Sequence, residues 1–89
     1  LRFMNKRLNE KSTLTHFLEV AQSRCAFRLV DGSYYEGYMI EVTKQNMIFY
    51  RGGPLARETP YIFAIDQIDF SSLSYYDHNQ QQWRDFHAS

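Results

Sequence analysis

Lys44, Gln45 and Asn46 stand side by side and offer an ammonium that neutralises a phosphate and two carboxamides that each donate and accept hydrogen bonds. That set suits recognition of a nucleobase and its backbone, and the same three residues also make an ordinary polar turn. Tyr34 and Tyr38 fall on the same side of an alternating segment. Aromatic rings so placed stack single-stranded bases at about 1–3 kcal/mol each, although tyrosine is equally at home in a subunit contact. Phe63 also has a ring to stack a base, yet it shares its side of the chain with Tyr61 and Ile65, a pattern that also fits a core or an interface. Lys6, Arg7 and Lys11 add phosphate-attracting charge near the N-terminus.

Catalytic chemistry finds no comparable set, and the chain is expected not to be an enzyme. Asp66 and Asp69 have odd spacing, so a continuous strand sends them to opposite faces. Asp77-His78 has no nucleophile placed to meet it, and Ser71 and Ser72 lack an activating base at a readable spacing. One cysteine and three histidines, His16, His78 and His87, at unrelated spacings make no zinc site, and neither metal nor cofactor is expected. Cys25, inside an alternating apolar run, reads as a small core residue.

Eighty-nine residues form one domain with a modest core. Nothing approaches the ~20 apolar residues of a membrane span, and the first residues lack a signal peptide's apolar stretch. These features point to a cytoplasmic, reducing compartment without a membrane partner. Net charge is zero but unevenly spread: residues 1–30 carry six Lys and Arg against two acids, and residues 31–89 carry four against eight. A basic N-terminal third is either an anion-facing surface or a solvated tail.

Residues 1–11 are polar and without period, and read as a flexible basic arm. Leu14, Phe17, Leu18 and Ala21 recur at helical spacing, with Ser12 or Thr13 as N-cap, and predict a helix over 12–23. Too short to stand alone, it must lay its apolar stripe on something else. From Arg24 the period becomes two. Asp31-Gly32 between alternating segments predicts a hairpin with a type I′ turn. The second glycine, Gly37, marks a bend, and the apolar phase slips at Ile40 and Val42, as a bulge requires. Met47 to Arg51 forms a third strand, stopped by Gly52-Gly53-Pro54. Tyr61 to Ile65 forms a fourth and Ile68 to Leu73 a fifth, while residues 77–89 read as a polar tail that is either disordered or docks a neighbour through Trp83 and Phe86.

A helix followed by five strands, with Leu29-x-Asp31-Gly32, Tyr35-x-Gly37-x-Met39 and Val42 in the first hairpin and Ile65-Asp66-Gln67-Ile68 after the fourth strand, resembles the Sm-like fold. Phe17-Leu18 and Tyr61-x-x-Ala64-Ile65 are closer to the bacterial RNA chaperone Hfq than to eukaryotic Sm proteins. The resemblance implies a mainly β fold, an N-terminal helix and a five-stranded, strongly bent antiparallel SH3-like barrel, with the domain at 12–76 and its barrel at 24–76. An OB-fold is the nearest rival, but it places its helix between strands three and four. The chain departs from the family at Thr43, where an Asp is usual. It lacks the aromatic that accompanies Gln45-Asn46, and Ile62-Phe63-Ala64-Ile65 replaces the basic residues of the second motif.

The resemblance also implies a homo-hexameric or homo-heptameric ring that binds single-stranded RNA, with Lys44, Gln45 and Asn46 at the pore. Strand chemistry points the same way, because Tyr61 to Ile65 and Phe70 to Tyr76 lack the Lys or Pro that protects natural sheet edges. Pairing Tyr61, Ile62, Phe63 and Ile65 of one copy with Phe70, Leu73 and Tyr75 of the next satisfies both edges, and a repeated heterologous contact closes a ring. The alternative is a scaffolding ring that has lost the RNA site; a tyrosine-lined small-ligand pocket is a third reading.

Overall fold

The computed structural model describes residues 2–21, 24–52 and 59–86, and for residues 2–8 the backbone alone. One helix, α1 (Arg2–Ala21), precedes six strands: β1 (Arg24–Leu29), β2 (Tyr34–Val42), β3 (Asn46–Tyr50), β4 (Tyr61–Ala64), β5 (Ile68–Asp77) and β6 (Gln82–Asp85). All neighbours are antiparallel, in the order β4-β3-β2-β1-β5-β6. The sheet is open, not a closed five-stranded barrel. The sixth strand lies within residues 77–89, which the sequence reads as a tail.

The expected apolar stripe forms: Leu14, Phe17 and Ala21 are buried against the sheet, with Leu18 and Val20 packed beside them. The helix starts at Arg2, however, so the segment read as a flexible arm is helical. Ser12 and Thr13 are therefore interior rather than capping residues. Lys6, Arg7, Leu8, Glu10 and Lys11 are good helix formers, and adding turns to a helix already packed at its C-terminal half avoids the cost of a new nucleus.

The β1–β2 connection is wider than the predicted type I′ turn. The Gly32 N–H donates to the Leu29 carbonyl at 2.9 Å, the Leu29 N–H donates to the Ser33 carbonyl at 2.9 Å, and Asp31 Oδ1 accepts from the Ser33 N–H. Gly32 alone in this turn has positive φ, at 95°, which is the three-residue hairpin with glycine in the left-handed position. Gly37 has the second steric role. A Cβ there would meet the Phe49 ring at 2.8 Å and Arg51 Cα at 2.9 Å, so β2 and β3 approach this closely only because the side chain is absent.

The phase slip does produce a bulge. Register shifts between Met39 and Glu41, leaving Ile40 exposed while Val42 returns to the core side. A second shift lies between Ala26 and Arg28 against β5. Such irregularities bend and coil a sheet. Its inner face and the helix enclose Cys25, Phe27, Leu29, Met39, Met47, Phe49, Phe63, Ile65, Ile68 and Leu73. No helix among the described residues is long and apolar enough to cross a membrane.

Candidate functional site

Thr43 closes the β2–β3 turn: its N–H donates to the Asn46 carbonyl at 2.8 Å, and its Oγ1 accepts from the Asn46 N–H at 3.0 Å. The hydroxyl does locally what Asp and Asn side chains do in such turns. Lys44 and Gln45 are left exposed at its tip and Asn46 half-buried at its base. The Gln45 carbonyl then accepts from the Ile65 N–H at 2.9 Å, which ties the tip to the end of β4. There the chain makes a single 3-10 turn, Ile65–Gln67, and Gln67 Oε1 accepts from the Ala64 N–H at 3.1 Å.

Between these two connections lies a cavity of about 170 Å³ lined by Glu10, Lys44, Gln45, Asn46, Ala64, Ile65 and Asp66. That is below the 300–1,000 Å³ typical of drug-sized ligands. It suits a group with the edge of one planar ring rather than a whole nucleotide. The lining holds two carboxylate side chains, Glu10 and Asp66, and one ammonium, Lys44, a formal charge of minus one. Hydrogen-bond donors, such as exocyclic amines and ring N–H groups, are matched by this lining; a phosphate is repelled except beside Lys44. Glu10 enters because α1 extends through the segment read as an arm, and nothing in the local pattern of residues 1–11 signals it.

The other expected site residues are scattered. Phe63 is buried among Phe27, Tyr35, Phe49 and Tyr61, with ring centroids 4.8 to 6.3 Å away, so it is not free to stack a base. Register explains the correction: Phe63 lies opposite Met47 in the row that turns inward onto Phe27, Tyr35 and Phe49 of the same sheet. Tyr34 is 60% exposed and Tyr38 half-buried, both on the outer face, away from the cavity. Lys11 is half-buried on α1, and the side chains of Lys6 and Arg7 lie outside the described residues.

Of the expected interface residues, Ile65 and Leu73 belong to the chain's own core with Phe63. Their side chains are buried within their own copy. Tyr61 and Phe70 are half-buried against that core, and Tyr75 packs edge-on to Phe17 at 6.5 Å. Ile62, 62% exposed on the outside strand, is the interface residue that stays available. The outer edge of β5 is occupied from Ser74 to Asp77 by β6, which the proposed β4-to-β5 contact had left open.

β6 also builds an outer-face cluster that went unforeseen. The Arg24 guanidinium lies 5.5 Å from the Trp83 ring and 6.0 Å from the Tyr76 ring and bonds Glu36 Oε1 at 3.2 Å. Gln82-Trp83-Arg84-Asp85-Phe86 does alternate, with Arg84 on the Tyr75 side and Trp83 on the Tyr76 side, and that is the signal the glutamine run obscured. Among the described residues no group of His, Cys, Asp or Glu is arranged to hold a metal ion. The Cys25 thiol is pushed up to about 12 by burial, against an ordinary value of 9.0, and so is held as the unreactive protonated form. The chain matches no protein-family model, no curated protein and no solved structure at a significant level.

Proposed function

We propose that the chain is a divergent Sm-like module of the cytoplasm that binds single-stranded RNA without catalysis and works as a homo-oligomer, with the six- or seven-copy ring the assembly its motifs imply. One observation carries the reading: the Lys44–Asn46 turn and the Ala64–Asp66 connection, distant in sequence and each at the end of a family-like motif, line one cavity. The helix-first order is in keeping with it, as is a β4 whose outer edge pairs with no strand among the described residues. Within the cavity the Gln45 and Asn46 carboxamides and the two carboxylates read base edges, and Lys44 meets the flanking phosphate.

Fluorescence titration with U-rich and A-rich oligomers at two salt concentrations tests this. Binding is expected to weaken with salt and to drop about tenfold in Asn46→Ala, the loss of one or two base hydrogen bonds. Micromolar protein without a signal for either oligomer refutes it. The net negative lining favours a second reading, a scaffold that joins proteins and binds no RNA. Such a chain self-associates normally while Asn46→Ala changes nothing.

A further inference from the structure

Residues 82–86 pair along β5, the strand just before them, and reach α1 and β1 at the other end of the chain. Four residue pairs join β6 to β5, the Phe86 N–H donates to the Leu73 carbonyl at 2.9 Å, and the Phe86 ring sits 5.0 Å from Phe17 and 5.6 Å from His16 on α1. Trp83 adds its contact with Arg24 on β1. What binds this segment to its own copy is the turn at residues 78–81. There Gln81 has φ of 54°, the only positive φ of a non-glycine among the described residues, in a region that costs any L side chain. The turn is fastened by Asp77, whose Oδ1 accepts from the N–H groups of Asn79 and Gln80 and whose Oδ2 accepts from Arg84 Nε at 2.7 Å.

Straightening that turn relieves Gln81 and sacrifices the two N–H contacts of Asp77, the bond from Gln82 Nε2 to Gln80 Oε1 and the Tyr76–His78 ring contact. Every contact of residues 82–86 with α1, β1 and β5 is recovered if they lie on another copy, because the seat there is the same. Strained short hinges favour this kind of exchange. We propose that residues 82–86 are exchanged between copies of this chain, β6 of one lying along β5 of the next with its Phe86 against the neighbour's Phe17 and His16. The proposal rests on the self-association argued above and replaces the β4-to-β5 contact as its joint. The occupant is a second copy because the seat already accepts this segment.

Ser74 and Asp85 are opposite one another. The Phe86-to-Leu73 bond makes theirs the non-hydrogen-bonded kind of pair, with Cα atoms about 4.5 Å apart, within disulfide range. Oxidising Ser74→Cys/Asp85→Cys therefore records which copy's β6 lies on which β5, with buried Cys25 silent. On a non-reducing denaturing gel, covalent multimers with both engineered thiols consumed are expected at high protein concentration and cross-linked monomer on dilution. Adding Gln81→Gly, which accepts the positive φ, is expected to lower the multimer fraction about fivefold at fixed concentration. Cross-linked monomer alone at every concentration overturns exchange, as do multimers indifferent to residue 81. If the unmodified chain still elutes as an oligomer in those cases, association stands through another edge; a monomer throughout removes both.

Discussion

The two ends of the sheet solve the same problem differently. At one end β4 presents Tyr61–Ala64, uncharged, with Ile62 exposed on the outside. Ile65 N–H pairs inward with Gln45, so by alternation Ile62 and Ala64 turn their backbone groups outward, and Gln67 covers only the Ala64 N–H. At the other end β6 is equally short but mixes Gln, Arg and Asp with Trp83, and its follower Phe86 is anchored on the helix. Charge and an added strand are both ways to blunt an edge. Among the described residues the sheet thus ends on two unequal edge strands, one uncharged and one carrying charge beside an anchored aromatic.

Truncating the aromatic anchor at each border measures that asymmetry. Phe63→Ala empties the aromatic cluster under β4 and is expected to cost about 3–5 kcal/mol in denaturant unfolding, as for other core phenylalanines. Phe86→Ala, at the rim of the core, is expected to cost less, about 2–3 kcal/mol, and to loosen β6 selectively, seen as faster amide exchange at the backbone it pairs with. Equal losses would erase the distinction between a structural border and a detachable one. Ile62→Lys comes next: within about 0.5 kcal/mol of the parent in stability, it is expected to suppress any association through β4 by charging its edge. Unchanged elution would show that the β4 edge carries no association.

The smallest effect is the response to acid. Ser33 N–H and hydroxyl hold the Asp31 carboxyl below its usual value, and the Ser71 hydroxyl and N–H do so for Asp69. At Asp77 desolvation pushes upward, but the Gln80 N–H, the Arg84 guanidinium and the Asn79 N–H outweigh it and the group is lowered too. Lowered folded values mean that the unfolded chain takes up protons first as pH falls. Their stabilisation is complete above the ordinary 3.8 and disappears as pH drops below it. Denaturant midpoints at pH 6 and pH 3 test the sign, and Asp77→Asn should lessen the decline.

Local periodicity made the helix stripe at Leu14, Phe17 and Ala21, the alternation of β1 and the bulge at Ile40 legible, because each depends on which face of one element is buried. The first half of α1 was not, since it has propensity without an apolar period. β6 was hidden for a different reason: a strand that begins on the last residue of a glutamine run is held in place by Phe86 on Phe17, 69 positions earlier in the chain. The turn at Lys44–Asn46 could be read in advance, and Glu10's arrival in the same cavity could not. The burial of Phe63, Ile65 and Leu73 in the chain's own core escaped notice for the same reason, because an apolar row looks alike whether its own chain or a neighbour covers it.

Cys25 gives the molecule a built-in clock. It is the only sulfhydryl in the sequence, it has no accessible surface, and its proton is held tightly between sheet and helix. An alkylating reagent therefore reaches it only when those two layers part, and the rate at which the native chain gains mass counts how often the whole interior opens.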